Sequence, residues 1–181
     1  MGSMVLMCGH IASGKSYYAK RFAEINNYRY IDIDECYKIY NGDEKNHTNK
    51  FEVWILFYQL IHNTLLLGQD LVIDTNAPLI SYRDEFLSWF PEFDKHYLLW
   101  IDASPQLAWE NNCRRERKVA RESFDHIVSM FQDPSPSEGV NVSRACWDVI
   151  CRIDNVENCF RPPVFIKGGP EDCTAQFCIE E

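Results

Sequence analysis

The chain has 181 residues, 46% hydrophobic and 25% charged, with a formal net charge of −9, which is the balance of one globular domain with a sizeable core. No run approaches the roughly 18 apolar residues of a membrane span, and no basic leader precedes an apolar core, so neither a membrane span nor secretion is indicated and a cytoplasmic protein is expected. The negative global field repels polyanions, so any binding of nucleic acid has to rest on a local basic patch.

Met1, Gly2 and Ser3 have the look of a cloning scar, which makes Met4 the expected natural start. Met4 to Cys8 is an apolar run that reads as a strand. It feeds Gly9-His10-Ile11-Ala12-Ser13-Gly14-Lys15-Ser16, a match to the G-x4-G-K-S/T phosphate-binding loop, and Ser16 to Ala23 continues with helical character. Strand, loop and helix in that order form the context in which such glycines cradle phosphate. Glycine lets the backbone N–H groups turn inward, and the helix start adds partial positive charge. Lys15 is expected on the β- and γ-phosphates and the Ser16 hydroxyl on Mg²⁺. The run from Gly9 to Ser16, with Tyr17 after it, is therefore the expected nucleotide site.

Further along, Tyr30 to Ile33 reads as a strand whose end carries Asp32 and Asp34, and the stretch 41–46 as a polar turn. Lys50 to Leu67 is rich enough in apolar residues to read as a long, largely buried helix, ended by Gly68. Leu71 to Ile73 is a strand closed by Asp74, and Ser81 to Phe90 a helix. Tyr97 to Ile101 is a strand closed by Asp102, and Pro105 to Glu116 a helix with Ser104 as its cap. Ser123 to Phe131 is a helix, 133–139 a turn-forming loop, Val164 to Ile166 a strand, and 171–181 an acidic tail expected to fray. Strands alternating with helices imply an α/β three-layer sandwich, mostly parallel, in a single domain spanning 1–181. The eight cysteines are scattered, without a C-x2-C pair, and are expected to be reduced.

In such a sheet the ligand crevice lies at the carboxyl ends of the strands. Asp74, closing an apolar strand, has the pattern that holds Mg²⁺ beside a phosphate loop, whereas Asp102 reads as part of a helix start. Asp34 is placed to accept the proton of an acceptor hydroxyl, which marks a kinase rather than a plain NTPase. Arg114, Arg115, Arg117, Lys118 and Arg121 form the one dense basic run. Trp54, Phe57 and Tyr58 are spaced as core, with a base-stacking wall as the alternative, while Tyr37 and Tyr40 are the aromatics expected to meet a substrate.

These residues, in this order, resemble the kinase domain of phage polynucleotide 5′-hydroxyl kinase and the zeta-toxin-like P-loop kinases. The resemblance runs from Met4 to Pro136. It is carried by GHIASGKS, by Asp34, by LVIDTN followed by a helix with Arg83, and by Asn111-Asn112-Cys113-Arg114 leading to Val119. It implies a nucleoside monophosphate kinase-like fold with a helical lid at about 111–122, ATP and Mg²⁺ as cofactors, Lys15 and Ser16 at the nucleotide, and Asp34 as general base. Arg114 is implied as the lid arginine on the transferring phosphoryl group, with Arg115 and Arg117 as its alternates. Two positions depart from that family: Tyr37 stands where an arginine holds the acceptor's phosphate, and Glu110 replaces a second arginine. The expected acceptor is a polynucleotide 5′-hydroxyl end. A small metabolite such as a nucleoside, sugar or nucleotide-sugar is the alternative, and a non-catalytic ATP-dependent switch the third reading.

Overall fold

The computed structural model describes residues 2–142, 144–177 and 179. In chain order the main elements are β1 (Ser3–Gly9), α1 (Lys15–Asn26), β2 (Arg29–Asp32), α2 (Ile33–Asn41), α3 (Lys50–Leu66), β3 (Leu71–Asp74) and α4 (Ile80–Trp89). They continue with β4 (Lys95–Ala103), α5 (Pro105–Arg114), α6 (Arg121–Met130), β5 (Val149–Val156), β6 (Cys159–Phe160) and β7 (Val164–Lys167). Among the described residues seven strands form one sheet in the order β2-β3-β1-β4-β5-β6, with β7 also on β5. The first five are mutually parallel; β6 and β7 run antiparallel to β5.

Side chains alternate across a strand, and β1 uses both faces. Met4, Leu6 and Cys8 join Val53, Phe57, Ile61 and Leu65 of α3 in one core, whereas Val5 and Met7 join Tyr18, Ala19 and Phe22 of α1 in the other. Burial on both sides explains why β1 and β3 read as unbroken apolar runs. The expected three layers follow. From β1 the chain goes to one side for β3 and β2 and to the other for β4 and β5, so the order reverses at β1. The crevice outside the carboxyl ends of the strands at such a reversal is where open α/β sheets take ligands.

Several sequence expectations change. β5 was not anticipated, because Arg152 and Asp154 interrupt its apolar pattern; both side chains are half-buried and pair with each other at 2.9 Å. The expected strand at Val164 to Ile166 exists, but as an antiparallel partner of β5 rather than as the fifth parallel strand. The helix over Lys50 to Leu66 buries one face only, for Phe51 is 74% and Leu66 71% exposed. β1 starts at Ser3, whose N–H donates to Asp70 Oδ1 at 2.7 Å, so one residue ahead of Met4 is part of the strand. The tail is anchored over 173–177. Phe177 is buried against Phe22, Tyr97 and Phe165, Tyr18 Oη donates to the Phe177 carbonyl, and Asn26 bonds both the N–H and the carbonyl of Gln176. The acidic residues 180 and 181 lie outside the described residues.

Candidate active site

The phosphate loop leaves β1 at its reversal point and enters α1. Gly9 (φ +142°) needs to be glycine, because a Cβ there would lie 2.4 Å from the Ile101 carbonyl oxygen. Gly14 (φ +98°) caps α1 without any side-chain hydrogen bond, so the first N–H groups of the helix remain open to an anion. Lys15 is buried, with Nζ donating to the carbonyls of Gly9 (3.1 Å) and His10 (2.9 Å). Burial pushes its pKa down while Asp74 opposes that effect. Two other elements brace the loop from behind. Asn155 of β5 donates to the Ser13 carbonyl at 2.8 Å, and Asn111 of α5 donates to the Ala12 carbonyl at 3.2 Å and to Asn158 Oδ1 at 2.8 Å. His10 packs its ring on Phe131 with centroids 4.7 Å apart, and burial followed by Lys15 lowers its pKa.

Opposite the loop, β2 ends at Asp32, which caps α2 by accepting the Asp34 N–H at 2.9 Å. Asp34 therefore sits in the first turn of α2, not at the strand end where the sequence pattern had it. The cap is what directs it into the crevice. Asp32 is also in register with Asp74 on the neighbouring strand, and Tyr30 Oη donates to both, at 3.3 and 2.8 Å. Burial and the adjacent Asp74 push the Asp32 carboxyl up to about 7. Asp32 and Asp74 are adjoining carboxylates that line the same crevice as Ser16, and their oxygens are donors of the kind a hard dication takes. The sequence pattern singles out Asp74 alone, and Asp32 comes beside it only in the fold. The pairing of β2 with β3 is what brings them together.

The basic run comes apart in the structure. Arg114 is the last residue of α5, 70% exposed in its side chain, and faces Glu110 at 3.9 Å rather than the crevice. Arg121 bonds Asp125 at 2.8 Å and lies over the Trp109 ring. Between them, 115–120 is irregular chain in which Arg115, Arg117 and Val119 are half-buried and line the crevice, while Glu116, Lys118 and Ala120 are exposed. That alternation is the period of two of an extended chain, which a helical reading of the run does not contain. Asn112, buried, holds the segment closed: its amide donates to the Val119 carbonyl at 2.9 Å and its Oδ1 accepts from Val119 N at 3.0 Å and Arg115 Nε at 3.2 Å. Arg117 forms an ion pair with Asp34, and its other guanidinium nitrogen lies 3.3 Å from His47 Nε2.

All of this encloses one crevice of about 480 Å³, lined by Ile11 to Tyr17 without Ser13, by Asp32, Asp34 and Asp74 to Asn76, and by Arg115 and Arg117. On the Asp34 side its wall is Ile33, Tyr37, His47 and Trp54. Phe57 is core as expected, Trp54 reaches the wall, and Tyr40 is exposed away from it. A second recess of about 380 Å³ adjoins Gly14, lined by Tyr17, Arg21, Asn155, Asn158, Phe160 and Ile179, with the Tyr17 and Phe160 rings stacked 5.9 Å apart. Arg83, named by its helix position, lies fully buried. It bonds Glu138 at 2.5 and 3.1 Å, the Ala77 carbonyl at 2.8 Å and the Gln132 carbonyl at 2.7 Å, which also gives the Glu138 loop its role.

Solved structures with the same fold include a sugar kinase from Janibacter sp. HTCC2649, 14% identical over 85% of this chain and 86% of that one, with a TM-score of 0.60. A gluconokinase from Sinorhizobium meliloti 1021 is 21% identical over 84% and 82%, with a TM-score of 0.53. A chain of the Pnkp1/Rnl/Hen1 RNA repair complex is 17% identical over 71% of this chain and 43% of that one, with a TM-score of 0.61. No curated protein sequence matches. The family model described as AAA domain matches residues 4–134, from the strand before the phosphate loop to beyond the 115–120 segment, and the chain belongs to that family.

Proposed function

We propose that the chain transfers the γ-phosphoryl group of Mg·ATP to a hydroxyl of a small metabolite held at Asp34. The observation that carries this reading is the placing of a phosphate loop and an independent carboxylate, Asp34, on opposite walls of one crevice, with two arginines of the lid segment between them. The loop amides and Lys15 hold the triphosphate, Lys15 giving up the Gly9 and His10 carbonyls when phosphate arrives. Ser16 and Asp74, with Asp32 beside it, would hold Mg²⁺, which supplies charge neutralisation on the phosphates. The nucleobase has the recess against Tyr17 and Phe160. Asp34 orients the acceptor hydroxyl and takes its proton as the oxygen bonds phosphorus. Arg115 takes the place expected for Arg114 on the transferring group, because its guanidinium lines the crevice and that of Arg114 does not.

A polynucleotide 5′-hydroxyl end is the second reading, supported by the motif order shared with polynucleotide kinases. The cations favour the metabolite. Arg114 and Arg121 face carboxylates on their own helices, and Lys38 on the acceptor flank lies 3.9 Å from Glu35, so the described residues present no continuous basic track for a backbone of phosphates. Incubation with γ-labelled ATP and either a small-molecule extract or 5′-hydroxyl oligonucleotides distinguishes the two. Label in the extract is the expected result; label in the oligonucleotide, steeply weakened by salt, would establish the second reading instead.

A further inference from the structure

We infer that Arg117 reads an anionic group on the acceptor, so that the substrate is a small hydroxy compound bearing a carboxylate or phosphate; this rests on the kinase reading above. Among the described residues the lysine and arginines lining the crevice are Lys15, Arg115 and Arg117, and the exposed His47 lines it as well. Lys15 belongs to the loop, and Arg115 is tied through Nε to Asn112 Oδ1 at 3.2 Å. Arg117 is the one whose guanidinium engages the residues of the opposite wall. Its partners are Asp34 of α2 and His47, whose ring lies 4.4 Å from that of Tyr37, and Tyr37 with Trp54 walls the acceptor side.

That ion pair also bears on chemistry. A carboxylate oxygen occupied by a guanidinium is not open to the hydrogen bond of an incoming hydroxyl. Asp34 receives an acceptor hydroxyl at that oxygen when Arg117 transfers to another anion, and the planar guanidinium fork matches a carboxylate or phosphate. An acceptor bearing such a group meets both needs: its anion takes Arg117 while its hydroxyl approaches the released Asp34. The hydroxyl proton then passes to Asp34, the acceptor oxygen bonds the γ-phosphorus, and the bond to the β-phosphate bridging oxygen breaks, leaving ADP. A neutral acceptor leaves the pair in place. The volume of about 480 Å³, shared with the triphosphate tail, suits a small molecule.

The test divides a small-molecule extract by anion exchange into retained and unretained fractions. Each fraction, and a 5′-hydroxyl oligonucleotide, is incubated with γ-labelled ATP and the wild-type protein. Label is expected in the retained fraction. Labelling that persists when the fraction is treated with phosphatase, and the phosphatase removed, before incubation identifies a carboxylate, and its loss a phosphate. With the labelled acceptor purified, Arg117→Ala should raise its KM by about 10- to 100-fold, the range of a charge-assisted contact, with the KM for ATP unchanged and Arg117→Lys recovering part of the loss. Label in the unretained fraction or the oligonucleotide, or an Arg117→Ala effect confined to the KM for ATP, overturns the inference and leaves the kinase reading standing. A wild-type protein that binds Mg·ATP and labels none of the three overturns both.

Discussion

Asp34→Asn is expected to lower kcat for phosphoryl transfer by about 10²- to 10⁴-fold, the usual contribution of a positioned general base, with little change in affinity for Mg·ATP. Asparagine preserves the shape of the side chain and can still accept a hydrogen bond from Arg117, so the local fold has no reason to change. It is the ability to take a proton that is lost. The nucleotide site lies across the crevice on the loop and should bind as before, which separates this variant from one that merely distorts the protein. Steady-state kinetics with the purified acceptor, beside a nucleotide titration, provide both readouts. Unchanged behaviour in every assay would favour a nucleotide-dependent switch, which has no use for a base at that position.

Arg83→Met is expected to destabilise the protein by about 3–5 kcal/mol, because it strands Glu138 as an uncompensated buried charge. For a chain of this size that corresponds to a fall in Tm of roughly 6–20 °C. Neither side chain of the pair is exposed to solvent, and burial already pushes the Glu138 carboxyl up against the opposing pull of Arg83. The double variant Arg83→Met with Glu138→Leu should recover a large part of the loss, since replacing both charges removes the stranded one. The consequence reaches the site as well. Arg83 holds the carbonyls of Ala77, just after Asp74-Thr75-Asn76, and of Gln132, next to the Phe131 that packs on His10. Thermal unfolding of the three proteins checks the prediction, and an unaltered Tm for Arg83→Met would contradict it.

What could be read from the amino acids alone was local. The loop, the strand before it and the helix after it lie in one stretch of some twenty residues, and Asp74 ends a strand whose burial on both faces makes it legible as an apolar run. Asp34 was found from its place after the second strand, although its true setting, the first turn of a helix capped by Asp32, was not. The misses share a cause. Arg114 was implied as the lid arginine by the resemblance; the helix stops at Arg114, the period changes from 3.6 to 2, and Arg115 and Arg117 line the crevice instead. Asp32 beside Asp74, Arg83 with Glu138, and Asn155 behind Ser13 join positions 42, 55 and 142 residues apart. No periodicity within a segment records such pairings. A strand such as β5, whose apolar run Arg152 and Asp154 interrupt, is likewise visible only once its neighbours are known.

Arg83 also corrects a reading by position. An arginine on the helix after the DTN segment belongs to the resemblance with polynucleotide kinases, where it contributes to the pattern of the family. In this chain it is enclosed by its own carboxylate and two carbonyls and has no access to the crevice.

The central claim is that the amide-lined loop from Gly9 to Ser16 grips the triphosphate of a nucleotide, and calorimetric titration with Mg·ATP and Mg·GTP tests it most directly. The account predicts saturable binding of one equivalent of Mg·ATP by the wild-type protein and its loss in Lys15→Ala. Absence of binding of either nucleotide by a folded wild-type protein would contradict it.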